Sequence, residues 1–376
     1  MSKRPFGYFV HHQGRGHATR CAAVVDALPQ DRPVTIFSAR DDIFPALPER
    51  AKVVRIPSLF EAEGQTFPAL DALPTPGTMH CAPVGWPTIS HAVATLTTWF
   101  AEARPDLFVV DVSAEIAQLA RIASVPAVKI VQHGDRTDPG HRAAYEGCVG
   151  LLAPWAESLA RPDMPDWMRV KTFFAGGLGA GTYDPDKVRA RRRLGTGEDE
   201  KLAVVISGGG GLGFPSAPLT MAARARSDIR WVTLGKVQTE WHETPPGNLD
   251  HRGWVDDPET WIAAADLVLS SAGNTTVQMI ASIRRPWIVI PEWRYFDEQM
   301  CKATRLHDAG AAIMASTWPG APGQWTALID RAMALDPDAQ ACLTDTNAAP
   351  AVADWLEDLS ARLWHRPETP MLEAAE

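Results

Sequence analysis

Short apolar runs, each closed by turn-forming residues, recur along this chain, and the intervals between them carry apolar residues three and four positions apart. Phe6–Val10, Val34–Phe37, Val53–Ile56, Leu107–Val110, Ala127–Val131 and Gly150–Leu152 read as buried parallel strands, which are near-continuously apolar rather than alternating. His17–Leu28, Ile89–Ala103 and Ala114–Ala123 read as the helices between them. A second set of strands follows at Leu202–Ile206, Trp231–Leu234, Leu267–Leu269, Trp287–Ile290 and Ala311–Met314. Strands alternating with helices predict an α/β fold with parallel sheets. The run GGLGAG at Gly176–Gly181 reads as the hinge between two Rossmann-like domains, residues 1–178 and 179–376, facing each other across a cleft. A final helix, Val352–Leu363, belongs to the second segment and can pack on either domain. Glu61–Trp86 is rich in Pro and Gly and without periodicity, so it is expected to be a long loop that lines something or moves.

Composition narrows the function classes. A chain of 376 residues agrees with two domains, and 45% hydrophobic with 22% charged residues excludes a disordered or fibrous protein. Lys plus Arg less Asp plus Glu, 36 − 45 = −9, opposes a phosphate backbone, so nucleic acid is not an expected partner. The five cysteines form no C-x-x-C pair, which suits reduced thiols in a cytoplasm. No apolar stretch reaches the length of a membrane span, so no transmembrane segment is expected. The basic run Lys187–Arg193 reads first as a solvated helix face; attraction to lipid phosphate, with peripheral membrane attachment, stays open.

The chemistry concentrates where strands end. Gly14, Gly16 and His17 of GRGHATR follow the first strand and open the first helix, so the backbone can approach a ligand and the free amides of the helix start point toward it. A third glycine and an acidic residue closing the second strand are missing, which disfavours NAD; a P-loop Lys is missing too. His17, at a strand's C-terminal edge, is placed to take a proton from a hydroxyl, or to cap the helix. Asp111 ends the apolar run Leu107–Val110 at the same sheet edge and can fix the tautomer of His17, or cap the next helix. Gln132 and His133 occupy the equivalent place after the following strand. In the second half, Gly209 and Gly210 belong to a glycine-rich loop after Leu202–Ile206 that can approach a phosphate. Gly273, Asn274 and Thr275 join a strand to a helix, whose free amides can receive a diphosphate without a lysine.

With GRGHATR near one end, and SAGNTTVQM followed by PEWRYFDEQ near the other, the chain resembles the GT-B nucleotide-sugar glycosyltransferases, in particular their MurG-like and UDP-glycosyltransferase branches. The resemblance spans nearly the whole sequence. It implies that His17 is the base that deprotonates an acceptor and Asp111 its orienting partner, and that Trp254 and Val255 hold the nucleobase. It further implies that Gly273, Asn274 and Thr275 bind the diphosphate, and Asp297 and Gln299 the donor sugar. The implied activity is inverting, metal-independent transfer of a sugar from a nucleotide diphosphate donor, UDP-linked by expectation, to a hydroxyl acceptor, lipid-linked or small, with no cofactor. Arg20 completes a G-x-G-H-x-x-R loop shared with MurG-like hydrolases, which keeps a nucleotide-sugar hydrolase open as the alternative. One departure stands out: Met279 occupies the place of the Glu that holds the ribose. Either Gln278 or another group such as Glu292 substitutes, or the donor nucleotide differs, or donor binding is lost, with an inactive binding subunit as a third reading of the function.

Overall fold

The computed structural model describes residues 3–64, 67–181, 183–208, 213–239, 242 and 244–365. The first half is a parallel sheet of β1 (Phe6–Phe9), β2 (Val34–Ser38), β3 (Ala51–Arg55), β4 (Leu107–Val110), β5 (Ala127–Ile130), β6 (Gly150–Ala153) and β7 (Thr172–Phe174), in the order β3-β2-β1-β4-β5-β6-β7. Every residue of β1, β4, β5 and β6 is buried, because helices cover both faces. These are α1 (Gly16–Ala27), the single turn α2 (Pro68–Asp71), α3 (Pro87–Ala103), α4 (Ala114–Ile122), α5 (Pro139–Gly147) and α6 (Asp166–Val170). The described residues of the segment expected to be a long loop are irregular apart from α2.

The second half repeats the plan. Its sheet contains β8 (Lys201–Ile206), β10 (Ile229–Leu234), β12 (Leu249–His251), β13 (Leu267–Ser270), β14 (Trp287–Val289) and β15 (Ile313–Met314), ordered β12-β10-β8-β13-β14-β15, while β9 (Phe214–Pro215) and β11 (Val237–Gln238) pair separately. Around it lie α7 (Lys187–Leu194), α8 (Ser216–Ala225), α9 (Pro258–Ala264), α10 (Asn274–Ile283), α11 (Glu298–Asp308) and α12 (Pro322–Met333). The basic run forms α7, where Lys187 and Arg191 both pair with Asp266 and Arg193 pairs with Asp257. Among the described residues no helix is long and apolar enough to cross a membrane.

The last helix, α13 (Ala348–Trp364), packs on the first sheet. Its apolar residues Val352, Ala353, Leu356 and Leu359 follow helical spacing and join the buried cluster of Val24 and Val25 from α1. Trp355 stacks on Phe173, and Glu357 accepts from Arg32 at 2.7 and 2.8 Å. The chain therefore crosses between the halves twice. The two crossings meet: the Asp345 amide donates to the Gly176 carbonyl at 2.8 Å, beside the glycines at 177 and 179 that adopt positive φ.

Candidate active site

In the first sheet the direction of chain progression reverses between β1 and β4, which are neighbours paired Phe9 to Val110. Loops leaving such a pair diverge and open a crevice at the strands' C-terminal ends. His17, in the first turn of α1, comes from one loop and Asp111 from the other, whose amide donates to the Phe9 carbonyl at 3.0 Å. His17 Nδ1 stands 2.9 Å from Asp111 Oδ2, and Arg20 Nη2 donates to the same oxygen at 2.6 Å. Asp111 is fully buried. Burial by itself would raise its pKa, but the charges of Arg20 and His17 outweigh that and hold the carboxyl well below the usual carboxylate range. An ionised carboxylate only accepts, so the shared proton belongs on Nδ1 and leaves the Nε2 lone pair free. His11 meets the His17 ring edge-on at 5.4 Å and is backed by Phe60 at 4.7 Å; burial, then the neighbouring His17, lowers its pKa to about 4.

Two features of this site carry no motif. Val112, next to Asp111, has φ +77, a strained conformation for a β-branched residue. The Nζ of Lys129 holds the Val112 carbonyl at 2.8 Å from within β5, where burial pushes the lysine down to about 8. Lys129 is not among the candidate residues read from the sequence; its one signal there is a lysine inside the apolar run Ala-Val-Lys-Ile-Val.

In the second sheet the same reversal falls between β8 and β13. Gly273 is the N-cap of α10, and among the described residues no side chain caps the helix, so its first-turn amides are left without a side-chain acceptor. Asn274 and Thr275 open that helix. Gln299 is buried and its Oε1 accepts the amides of Ala272 at 3.0 Å and Glu292 at 2.9 Å, pinning the loops on either side. Asp297 is exposed, Val255 is half-buried against the core, and Trp254 is 73% exposed. The Gln278 side-chain amide crosses to the first half, donating to the carbonyls of Pro154 at 3.1 Å and Leu178 at 3.2 Å. Met279 packs against the core. Glu292 pairs with Arg294 at 3.1 Å. Gly209 and Gly210 lie outside the described residues.

The two halves meet at these loops. A Cβ on Gly16 would come 3.0 Å from Thr275 Oγ1, so the GRGHATR loop faces the start of α10. Phe296 and Asp297 both adopt left-handed φ, +62 and +53. The Phe296 carbonyl accepts the Asp135 amide at 2.7 Å, and its ring sits under Arg136 at 4.1 Å, beside His80 at 5.1 Å and His141 at 5.2 Å. His80, Asp138 and His141 also bring three metal-capable atoms within 4.8 Å of one another. His141 spends Nδ1 on Asp138 at 2.6 Å, and its Nε2 faces Arg136 Nη1 at 3.3 Å, an arrangement suited to gripping Phe296 rather than a cation. Beyond His133, whose ring stacks on Trp155 at 3.8 Å, lies a largely apolar pocket of about 180 Å³ lined by Tyr145, Met164, Trp167, Met168 and Phe174.

Comparisons with known proteins bear on both halves. Residues 236–321 match the Glycosyltransferase family 28 C-terminal domain. The chain is 29% identical over 157 residues to UDP-N-acetylglucosamine--N-acetylmuramyl-(pentapeptide) pyrophosphoryl-undecaprenol N-acetylglucosamine transferase of Chlorobium luteolum, covering 39% of this chain and 42% of that one. An uncharacterized glycosyltransferase of Methanosarcina acetivorans is 25% identical over 163 residues, 42% of this chain and 39% of its own. The chain thus spans about two-fifths of the length of these relatives. Among solved structures, the glycosyltransferase of kitacinnamycin superposes with a TM-score of 0.66 at 18% identity, over 95% of this chain and 99% of that one. MurG of Acinetobacter baumannii gives 0.59 at 16% identity over the same shares, 95% and 99%.

Proposed function

We propose that this chain, which has the GT-B fold and carries a glycosyltransferase family 28 C-terminal domain, moves a sugar from a nucleotide diphosphate donor, UDP-linked, to a hydroxyl acceptor. The observation that carries this reading is the opposition of the His17–Asp111 pair and the uncapped start of α10 across the groove. In this reading the acceptor half runs to about residue 178 and takes back the last helix, α13, while the segment between them is the donor half, so the boundary of 179–376 expected from the sequence overshoots at its end. Gly14, Gly16 and Arg20 shape the acceptor-side loop, and the segment of Trp254 and Val255 receives the base.

The reaction follows from the parts. His17 Nε2 takes the acceptor's hydroxyl proton while Asp111 stabilises the resulting imidazolium through Nδ1. The acceptor oxygen forms its bond to the anomeric carbon as the bond from that carbon to the β-phosphate oxygen breaks, and the electron pair leaves with the diphosphate. Attack and departure occur on opposite faces, so the configuration inverts. The α10 amides meet the departing charge, the role a divalent ion plays elsewhere. Asp297 and Gln299 fall beside the donor sugar, Gln299 by holding its loops. The apolar pocket beyond His133 suits an acceptor with an aromatic or aliphatic body.

Thermal unfolding with UDP, TDP and GDP tests the donor assignment. A nucleotide at 100 times its dissociation constant should stabilise the protein by about 2.7 kcal/mol. Melting unmoved by all three overturns the reading. Transfer by the wild type that falls about 10²–10⁴-fold in His17→Ala, with nucleotide binding retained, supports it. Nucleoside diphosphate release that is equally fast without any acceptor would mark a hydrolase instead.

A further inference from the structure

A buried cation sits at the end of a helix that repels it. Lys302 lies on the inward stripe of α11, with Gln299, Ala303 and Leu306, and is 1% exposed. Its Nζ donates to the Ala272 carbonyl at 3.1 Å and to Asn274 Oδ1, on either side of the α10 N-cap. A helix start carries about half a positive charge, so the ammonium and the dipole oppose each other. The countercharge is thin: Glu298, on its own helix, comes no nearer than 4.0 Å and also faces Arg136 at 3.6 Å. From α1, Arg20 adds further positive potential. His133, from the loop after β5, is kept neutral by burial and by Lys302. That histidine is an independent sign of a ligand. It is 4% exposed, its Nε2 has no hydrogen-bond partner among the described residues, and it lines the same cavity as Asn274 and Lys302, a space of about 10 Å³. Buried positive potential beneath the helix start, next to an unsatisfied polar atom, favours an anion at the α10 amides above it.

We propose that Lys302 is the fixed cation of the donor site, supplying, together with the α10 amides, the charge that holds a donor's pyrophosphate. This rests on the reading of α10 as the donor end. Its charge acts from beneath the helix start, through Asn274, so it is a positioning residue that sets the potential of the site. It also has a thermodynamic signature. In the empty site burial, with Arg20 adding to it, pushes Lys302 down to about 8. An arriving anion draws it back up, so binding above that pH must take up a proton.

Isothermal titration calorimetry of the full chain with UDP, TDP and GDP, in buffers of different ionisation enthalpy, reads this directly. At about pH 8.8 the wild type is expected to take up roughly half a proton or more, and at about pH 7 nearly none. Lys302→Met should bind about tenfold more weakly at pH 7 and lose the uptake, while Lys302→Arg keeps the affinity without the uptake. A Met variant with wild-type affinity or wild-type uptake overturns the proposal. If that variant fails to fold, the wild type decides alone: binding without proton uptake at pH 8.8 overturns it. A wild type that binds none of the three nucleotides overturns the donor-site reading itself, which is a different result.

Discussion

The Nδ1 of His17 and the Oδ2 of Asp111 lie 2.9 Å apart although 94 positions separate them in the chain. Adjacent parallel strands, β1 and β4, deliver both to one edge, and an ionised, fully buried carboxylate then decides which ring nitrogen holds the proton. Asp111→Asn keeps the shape and removes that decision. Its kcat is expected to fall about 10²–10⁴-fold with the donor KM nearly unchanged, measured by steady-state transfer kinetics.

Arg20 supports the same carboxylate at 2.6 Å in a buried position. Arg20→Met strands a charge in the core and should cost about 3–5 kcal/mol in urea unfolding at neutral pH. The sign with pH follows. In the wild type the depressed pKa of Asp111 stabilises the fold above the unfolded carboxylate range, and this is lost as pH falls through it. Without Arg20 only His17 opposes burial, so the variant's carboxyl takes up a proton at higher pH than the wild type's. The stability gap between the two proteins should therefore narrow from pH 7 to about pH 5.

Gly134 has φ +98, and a Cβ there would land on the Phe296 carbonyl oxygen, where the first half grips the second. Gly134→Ala should push the Phe296–Asp297 segment outward and lower kcat/KM about 100-fold, with circular dichroism unchanged. Gly320, which has open space around it, provides the control: Gly320→Ala should leave kinetics at wild type.

Lys129 bonds the Val112 carbonyl and so fixes the turn that aims Asp111. Lys129→Met should lower kcat about fivefold, the loss of one hydrogen bond, with donor KM unchanged. Its folded pKa near 8 stands below the unfolded value of 10.5. The unfolded chain binds the extra proton between those values, so this group favours the wild-type fold increasingly as pH rises through the window. The Met variant should accordingly lose ground to wild type from pH 7 to pH 10 in urea unfolding.

Much of this architecture was legible because parallel strands buried on both faces leave unbroken apolar runs; Asp111 stands directly after one of them, and His17 opens the helix that follows another. The strands β7 and β12 were not: Thr-Phe-Phe and Leu-Asp-His are short edge strands without an unbroken apolar run around them. Lys129 and Lys302 gave faint signals, a cation within an apolar strand and another on the inward stripe of a helix. Their partners, the Val112 carbonyl and the α10 N-cap, come from elements distant in sequence, and no spacing rule reports them. Gln278 shows the limit differently: a residue placed by motif near a ribose spends its amide on backbone of the opposite half.

Because α13 returns to the first sheet, and the Asp345 amide is tied to the Gly176 carbonyl, the second half is an insertion hung on a paired strap rather than a bead on one string. The start of α10 and the loop of His17 are thereby tethered through two chain crossings instead of one, so their alignment is inherited from covalent connectivity.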